Sequence, residues 1–185
     1  MDYKDYQYSR DAAWRILIDC HATELPVRAL NICQTLGIPV RRTSLTEAPE
    51  GRSMALNGRP VILLSAEPSP ERRRFTLAHE LGHIVLGHMD RVGVLNRDPS
   101  PEDDPLEQAA NVFASRLLAP ACVLWGCNVQ SAAEIAQLCG ISQTAADFRW
   151  ERLQLLYQRG KFLISPLERQ VYAQFLAYIN VHTLR

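Results

Sequence analysis

The chain has 185 residues, 47% of them hydrophobic, with twenty basic residues set against twenty acidic ones. That apolar content excludes a disordered regulator and suffices for one domain with a small appendage, while the balanced charge gives the chain as a whole no attraction for nucleic acid or anionic lipid. Five scattered cysteines without a C-x-x-C pair suit a reducing compartment, and the polar start MDYKDYQYSR, with no later run long enough to span a bilayer, leads to the expectation of a soluble, cytoplasmic protein.

In SRDAAWRILIDC the apolar residues Ala13, Ile16, Leu17 and Cys20 share one helical face behind a Ser9 cap, which predicts a first helix from Ser9 to about Cys20. A second helix is predicted in PVRALNICQTLG, with Pro26 in its first turn and Gly37 as its stop. Branched residues in IPVRRTS and SMALNGRPVILLS predict strands, and Asn57-Gly58 between apolar runs predicts a hairpin, so a small sheet precedes the histidines. A helix entered at Ser69-Pro70-Glu71 is expected to run to about His88. RVGVLNRDPSPEDDP then reads as an exposed loop, PLEQAANVFASRLLAP as a helix bounded by prolines, and SPLERQVYAQFLAYIN as a last amphipathic helix. Trp150 and Tyr157 read as core anchors.

FTLAHELGH carries the chemistry. Residues four apart share a helix face, so His79 and His83 can reach one ion, and Glu80, about a quarter turn round the helix, is placed to act as a general base. Zinc acidifies a water and the carboxylate takes its proton, which is the chemistry of amide hydrolysis. Such a site needs a third protein ligand. Ala110, Ala114, Leu117 and Leu118 line one face of the later helix, and Glu107 with Asn111 falls on that inward stripe, so Glu107 is the choice. His88, Asp90, Glu102, Asp103 and Asp104 are the rival donors. His88 lies one residue short of the three-histidine spacing H-E-x-x-H-x-x-G-x-x-H, and the acids are expected to face water. Gly82, costly inside a helix, calls for a close neighbour, with a passing strand as one candidate.

RRFTLAHELGHIVLGH followed by EQAANVFASRLLAP closely resembles the ImmA/IrrE family of zinc metallopeptidase-like proteins. The resemblance implies Zn2+ held by His79, His83 and Glu107, and Glu80 as the catalytic carboxylate. It also implies cleavage of a regulatory protein, typically a helix-turn-helix transcriptional repressor of a mobile element or stress response. Because the family sheet precedes the catalytic helix, RPVILLS is expected to be the edge on which substrate backbone docks. The expected fold is α+β and mostly helical: a zincin-like metallopeptidase core over residues 1–125 with a small antiparallel or mixed sheet, and a helical, helix-turn-helix-like subdomain over 126–185.

SAAEIAQLCGISQTAADFRWERL has the helix, glycine turn and second helix of a DNA-binding unit, but SQTAAD brings no Arg or Lys to base edges, and Arg149 and Arg152 come late. Packing or partner binding is the favoured role for this segment, with no direct nucleic-acid partner and no membrane. A metal-binding regulator that holds its partner without cutting it is the alternative reading. The substrate sequence and the oligomeric state are not legible at this level.

Overall fold

A computed structural model describes residues 2–43, 50–90 and 104–183. Its elements are helices α1 (Tyr3–Asp19) and α2 (Ala29–Thr35), strands β1 (Val40–Thr43), β2 (Gly51–Leu56) and β3 (Arg59–Ser65), then helices α3 (Pro70–Val85), α4 (Pro105–Leu118), α5 (Ala121–Gly126), α6 (Ala132–Cys139), α7 (Gln143–Arg159), α8 (Pro166–Gln174) and α9 (Leu176–Thr183). The protein is mostly helical α+β, as its patterning predicts.

The sheet is mixed, in the order β1-β3-β2. β1 runs parallel to β3, with Val40 opposite Ile62, and β2 runs antiparallel to it, with Leu56 opposite Arg59. Asn57 and Gly58 both have positive φ, +51° and +74°, which is what a two-residue hairpin turn matched to strand twist requires. The sequence expectation for RPVILLS is overturned here. β3 is the central strand, its backbone is paired on both sides, and among the described residues β2 is an edge, packed beside α3.

Helix α4 is the hub, packed against both α1 and α3. Its Ala110, Phe113, Ala114 and Leu117 are fully buried, and two alanines on one face let neighbouring backbones approach closely. Leu17, Ile62, Leu81, Leu124, Leu153 and Phe175 belong to the same core, so the sheet, α3, α4 and the C-terminal helices share one apolar interior. Cys33, Cys122, Cys127 and Cys139 are buried free thiols within it.

Several boundaries differ from the sequence expectation. α1 starts at Tyr3 because Asp2, not Ser9, is its cap: the Asp2 carboxylate accepts from the backbone N–H of Asp5 at 2.8 Å. Ser9 lies inside the helix, buried, and its hydroxyl donates to the carbonyl of Asp5. α2 begins at Ala29 rather than in the turn holding Pro26. α3 ends at Val85, since Gly87 at φ +70° turns the chain and puts His88 on a short 3₁₀ turn, His88–Asp90. ACVLWGCN contains a helix of its own, and the last predicted helix is two, α8 and α9, meeting at the buried Phe175.

Candidate metal centre

Both metal-site helices start by the same device. Ser69 caps α3 by accepting from the N–H of Arg72, and Asp104 caps α4 by accepting from the N–H of Leu106, each followed by a proline whose missing N–H is no loss at a first turn. Asp104, one of the rival donors, is therefore engaged in capping. α3 and α4 then pack face to face. Gly82 makes this possible, because a Cβ there would stand 3.0 Å from the ring of Phe113 on α4. The neighbour that Gly82 calls for is thus a phenyl ring rather than a passing strand.

That packing brings His79, His83 and Glu107 together, with one donor atom from each lying within 4.8 Å of the others. The two Nε2 atoms are 3.0 Å apart, His79 Nε2 is 3.0 Å from Glu107 Oε2, and His83 Nε2 is 3.4 Å from Glu107 Oε1. Tetrahedral ligands about 2 Å from one ion stand roughly 3.3 Å apart. The donor set has that spacing.

The outer nitrogens of both imidazoles are engaged. His79 Nδ1 lies 2.9 Å from Asn111 Oδ1, so with the amide oxygen accepting, Nδ1 carries the proton and Nε2 keeps its lone pair. His83 Nδ1 lies 2.9 Å from Nδ1 of the buried His88. A proton on the His83 side of that contact likewise leaves its Nε2 lone pair facing His79. Two lone pairs and a carboxylate then meet at one point, an arrangement that a cation satisfies and an apolar core does not. With no cation between them, the same atoms meet in another protonation state: protonated imidazoles donate to Glu107 and, against the effect of burial, hold its carboxyl well below the usual carboxylate range.

His88 therefore stands behind His83 instead of joining the donor set, because the chain turns at Gly87. The side chain of Asp90, and Glu102 and Asp103 altogether, lie outside the described residues. Asn111 is exposed, facing out beside His79 instead of into the core as the stripe expectation had it. Its contact was within reach of sequence reasoning, since it follows Glu107 by one helical turn. That of His88 was not, since it depends on the turn at Gly87.

Glu80 is 3% exposed, one residue along α3 from His79. Strand β2 lies over it: a Cβ on Gly51 would stand 3.0 Å from Glu80 Cγ and collide with the Thr76 methyl. A cleft of about 810 Å³ opens beside the centre between α3, α4 and the start of α7, with Thr76, Asn111, Ile141 and Phe148 on its walls.

Fold and donor set together define a helical α+β protein with a His-His-Glu cluster whose spacing could hold a metal ion. The chain belongs to the peptidase M78 family of IrrE N-terminal-like domains, whose pattern matches residues 33–151. It is 38% identical over 97 residues to the radiation response metalloprotease IrrE of Deinococcus deserti, covering 46% of this chain and 34% of that protein. It is 35% identical over 95 residues to the protein of the same name from Deinococcus radiodurans, covering 46% and 29%. The match thus spans about a third of these relatives' length. A Mycobacterium tuberculosis transcriptional regulator superposes with a TM-score of 0.56 at 16% identity, over 77% of this chain and 46% of that one, a likeness of fold alone.

Proposed function

We propose that this protein is a zinc-dependent endopeptidase that cleaves a regulatory protein, a helix-turn-helix transcriptional repressor being the substrate class. The observation that carries the reading is the convergence of His79, His83 and Glu107 beside a buried Glu80 on the same helix. Two imidazoles and a carboxylate are a zinc donor set, and zinc, when bound, supplies Lewis acidity.

The protein's own residues would do the rest. His79, His83 and Glu107 hold the ion, with Asn111 and His88 fixing the imidazoles from behind. Glu80, shielded from bulk water, takes the proton of the attacking water and returns it to the amide nitrogen as the C–N bond breaks. The cleft beside the centre, with Phe75, Ile141 and Phe148 as apolar walls, suits an extended segment of the substrate, and the edge of β2 offers backbone pairing in place of β3. The start of α7 forms part of that cleft, which supports a partner-binding role for the helix-turn-helix-like segment over a role in reading DNA.

The test combines metal content by mass spectrometry, on wild type and Glu107→Ala, with cleavage of a candidate repressor by wild type and Glu80→Gln. About one zinc per chain, reduced by Glu107→Ala, with cleavage abolished by Glu80→Gln, is the expected result. Bound metal with no cleavage in any arm would turn the reading to a regulator that holds its partner intact.

A further inference from the structure

Away from the metal centre, α1, the end of α4, α7 and the start of α8 enclose a cavity of about 280 Å³. Its cations come from three helices: Arg10 from α1, Arg116 from α4, Arg149 and Arg152 from α7. Arg159 and Lys161 add charge on its exposed side. The carboxylates of the described residues do not balance this set. Asp11 takes Arg10 at 2.7 Å. Glu168 in the cavity wall is buried and already accepts from the N–H of Ile164 at 3.1 Å. Among the described residues no carboxylate pairs with Arg116, Arg149 or Arg152.

The same wall collects hydrogen-bond donors that lack acceptors. Arg149 is 2% exposed, its Nε donates to the carbonyl of Ala119 at 2.7 Å, and its Nη2 has no partner among the described residues. Nε of Arg116, Nε of Arg152 and the indole N–H of the buried Trp14 are likewise buried without a partner among the described residues. Such groups cost free energy until an acceptor reaches them, and charged ones cost most. The phenol of Tyr6 registers the surplus of positive charge. Burial alone would raise it, but Arg116, Arg149 and Arg152 outweigh that and bring it down to about 8.

We propose that this cavity binds a small molecule through a phosphate or pyrophosphate group. A phosphate offers only acceptors, carries the missing negative charge, and matches forked guanidiniums geometrically. Water would satisfy a donor but leave the charge uncompensated. Tyr6 and Trp14 line the cavity with their rings under guanidiniums, Arg116 at 5.4 Å and Arg152 at 5.5 Å from the Tyr6 ring centre and Arg10 at 4.7 Å from that of Trp14, contacts that hold the forks in place. A buried Arg149 within so small a space suits a small ligand rather than a duplex. The occupant would press on the end of α4, the helix that carries Glu107, since Arg149 holds the Ala119 carbonyl there.

Calorimetric titration of the full chain with inorganic phosphate, pyrophosphate and ADP, at constant ionic strength against sodium chloride, tests this. Saturable binding at one site per chain is expected, weakened at least about tenfold by Arg116→Gln and by Arg152→Gln and unchanged by the exposed Arg28→Gln. These two variants carry the test because Arg149→Gln, buried, can fail to fold. Binding must persist in Glu107→Ala, which separates this site from phosphate captured at the metal centre. ADP binding more tightly than pyrophosphate points to a nucleotide, and equal binding to the phosphate group alone. No saturable binding of any probe, or binding indifferent to both arginine substitutions, overturns the proposal. So does duplex DNA bound through these arginines in the absence of small-probe binding.

Discussion

Asn111 Oδ1 stands 2.9 Å from Nδ1 of His79, so the helix that brings Glu107 to the metal centre also sets the orientation of a histidine on the opposite helix. One turn of α4 thus places a carboxylate beside the two imidazoles and an acceptor at the far nitrogen of His79. Partners of this kind typically change metal affinity by about 10–100-fold when removed. Asn111→Ala is expected to weaken zinc binding by that order, while Asn111→Asp, which keeps an acceptor at the ring nitrogen, retains it. Competition with a chromophoric chelator reads both. Unchanged affinity in Asn111→Ala would show that packing alone orients the imidazole.

Gly82→Ala sets two effects against each other. Alanine favours the helix by about 1 kcal/mol, but its methyl would meet the Phe113 ring at 3.0 Å in a fully packed interface, where overpacking costs about 1–3 kcal/mol. The clash is expected to win, with a lower denaturant midpoint, and Phe113→Leu in the same chain should recover part of the loss. A Gly82→Ala protein more stable than wild type would mean that α3 and α4 have slack between them.

Gly51→Ala addresses β2. Its methyl would strike the Thr76 methyl and crowd Glu80 Cγ, while the metal donors are untouched. Cleavage is expected to fall by about tenfold or more, a loss of roughly 1.4 kcal/mol of transition-state stabilisation, with zinc content preserved. Thr76→Ser, which removes the colliding methyl, should restore part of it. Full cleavage in Gly51→Ala would show that Glu80 is free to move away from the strand.

Tyr6 should make stability depend on pH in the alkaline range. Its phenol falls from an ordinary 10.0 to about 8 in the folded protein because Arg116, Arg149 and Arg152 outweigh the effect of burial. An acid held lower in the folded state contributes stability that is present above its unfolded value and is lost as pH falls through the folded one. Denaturation midpoints should therefore rise with pH between about 8 and 10 in wild type relative to Tyr6→Phe. A difference that stays flat across that window would mean that the phenol does not feel the arginines. Pyrophosphate in the cavity should raise the phenol again, by cancelling the field that lowers it.

Much of the site was legible because its signals are local. A helix spacing of four pairs His79 with His83 whatever surrounds them, and an inward stripe on α4 singled out Glu107, which the structure does bring to the two imidazoles. Asn57-Gly58 marked its hairpin because positive φ at two successive residues depends on the residues themselves. Even where the first helix was placed too late, the cause was a local competition: Asp2 and Ser9 are both good caps, and in the folded chain Asp2 takes that role while Ser9 bonds back to Asp5.

What local pattern could not supply depends on contacts between segments far apart in the chain. β3 reads as the edge strand of a hairpin and becomes central only because β1 pairs on its other side. His88 reads as a rival ligand until the turn at Gly87 sets it behind His83. Arg149 reads as no more than a late basic residue of its helix until Ala119, thirty positions earlier, claims its Nε and the core closes around it. The sequence by itself determined the helices, the hairpin and the pairing of His79 with His83, because hydrophobic period, capping and turn chemistry act within a few residues. Strand order, the ring behind His83 and the arginine-lined cavity were decided only by the tertiary structure, because burial and pairing are properties of where distant segments meet.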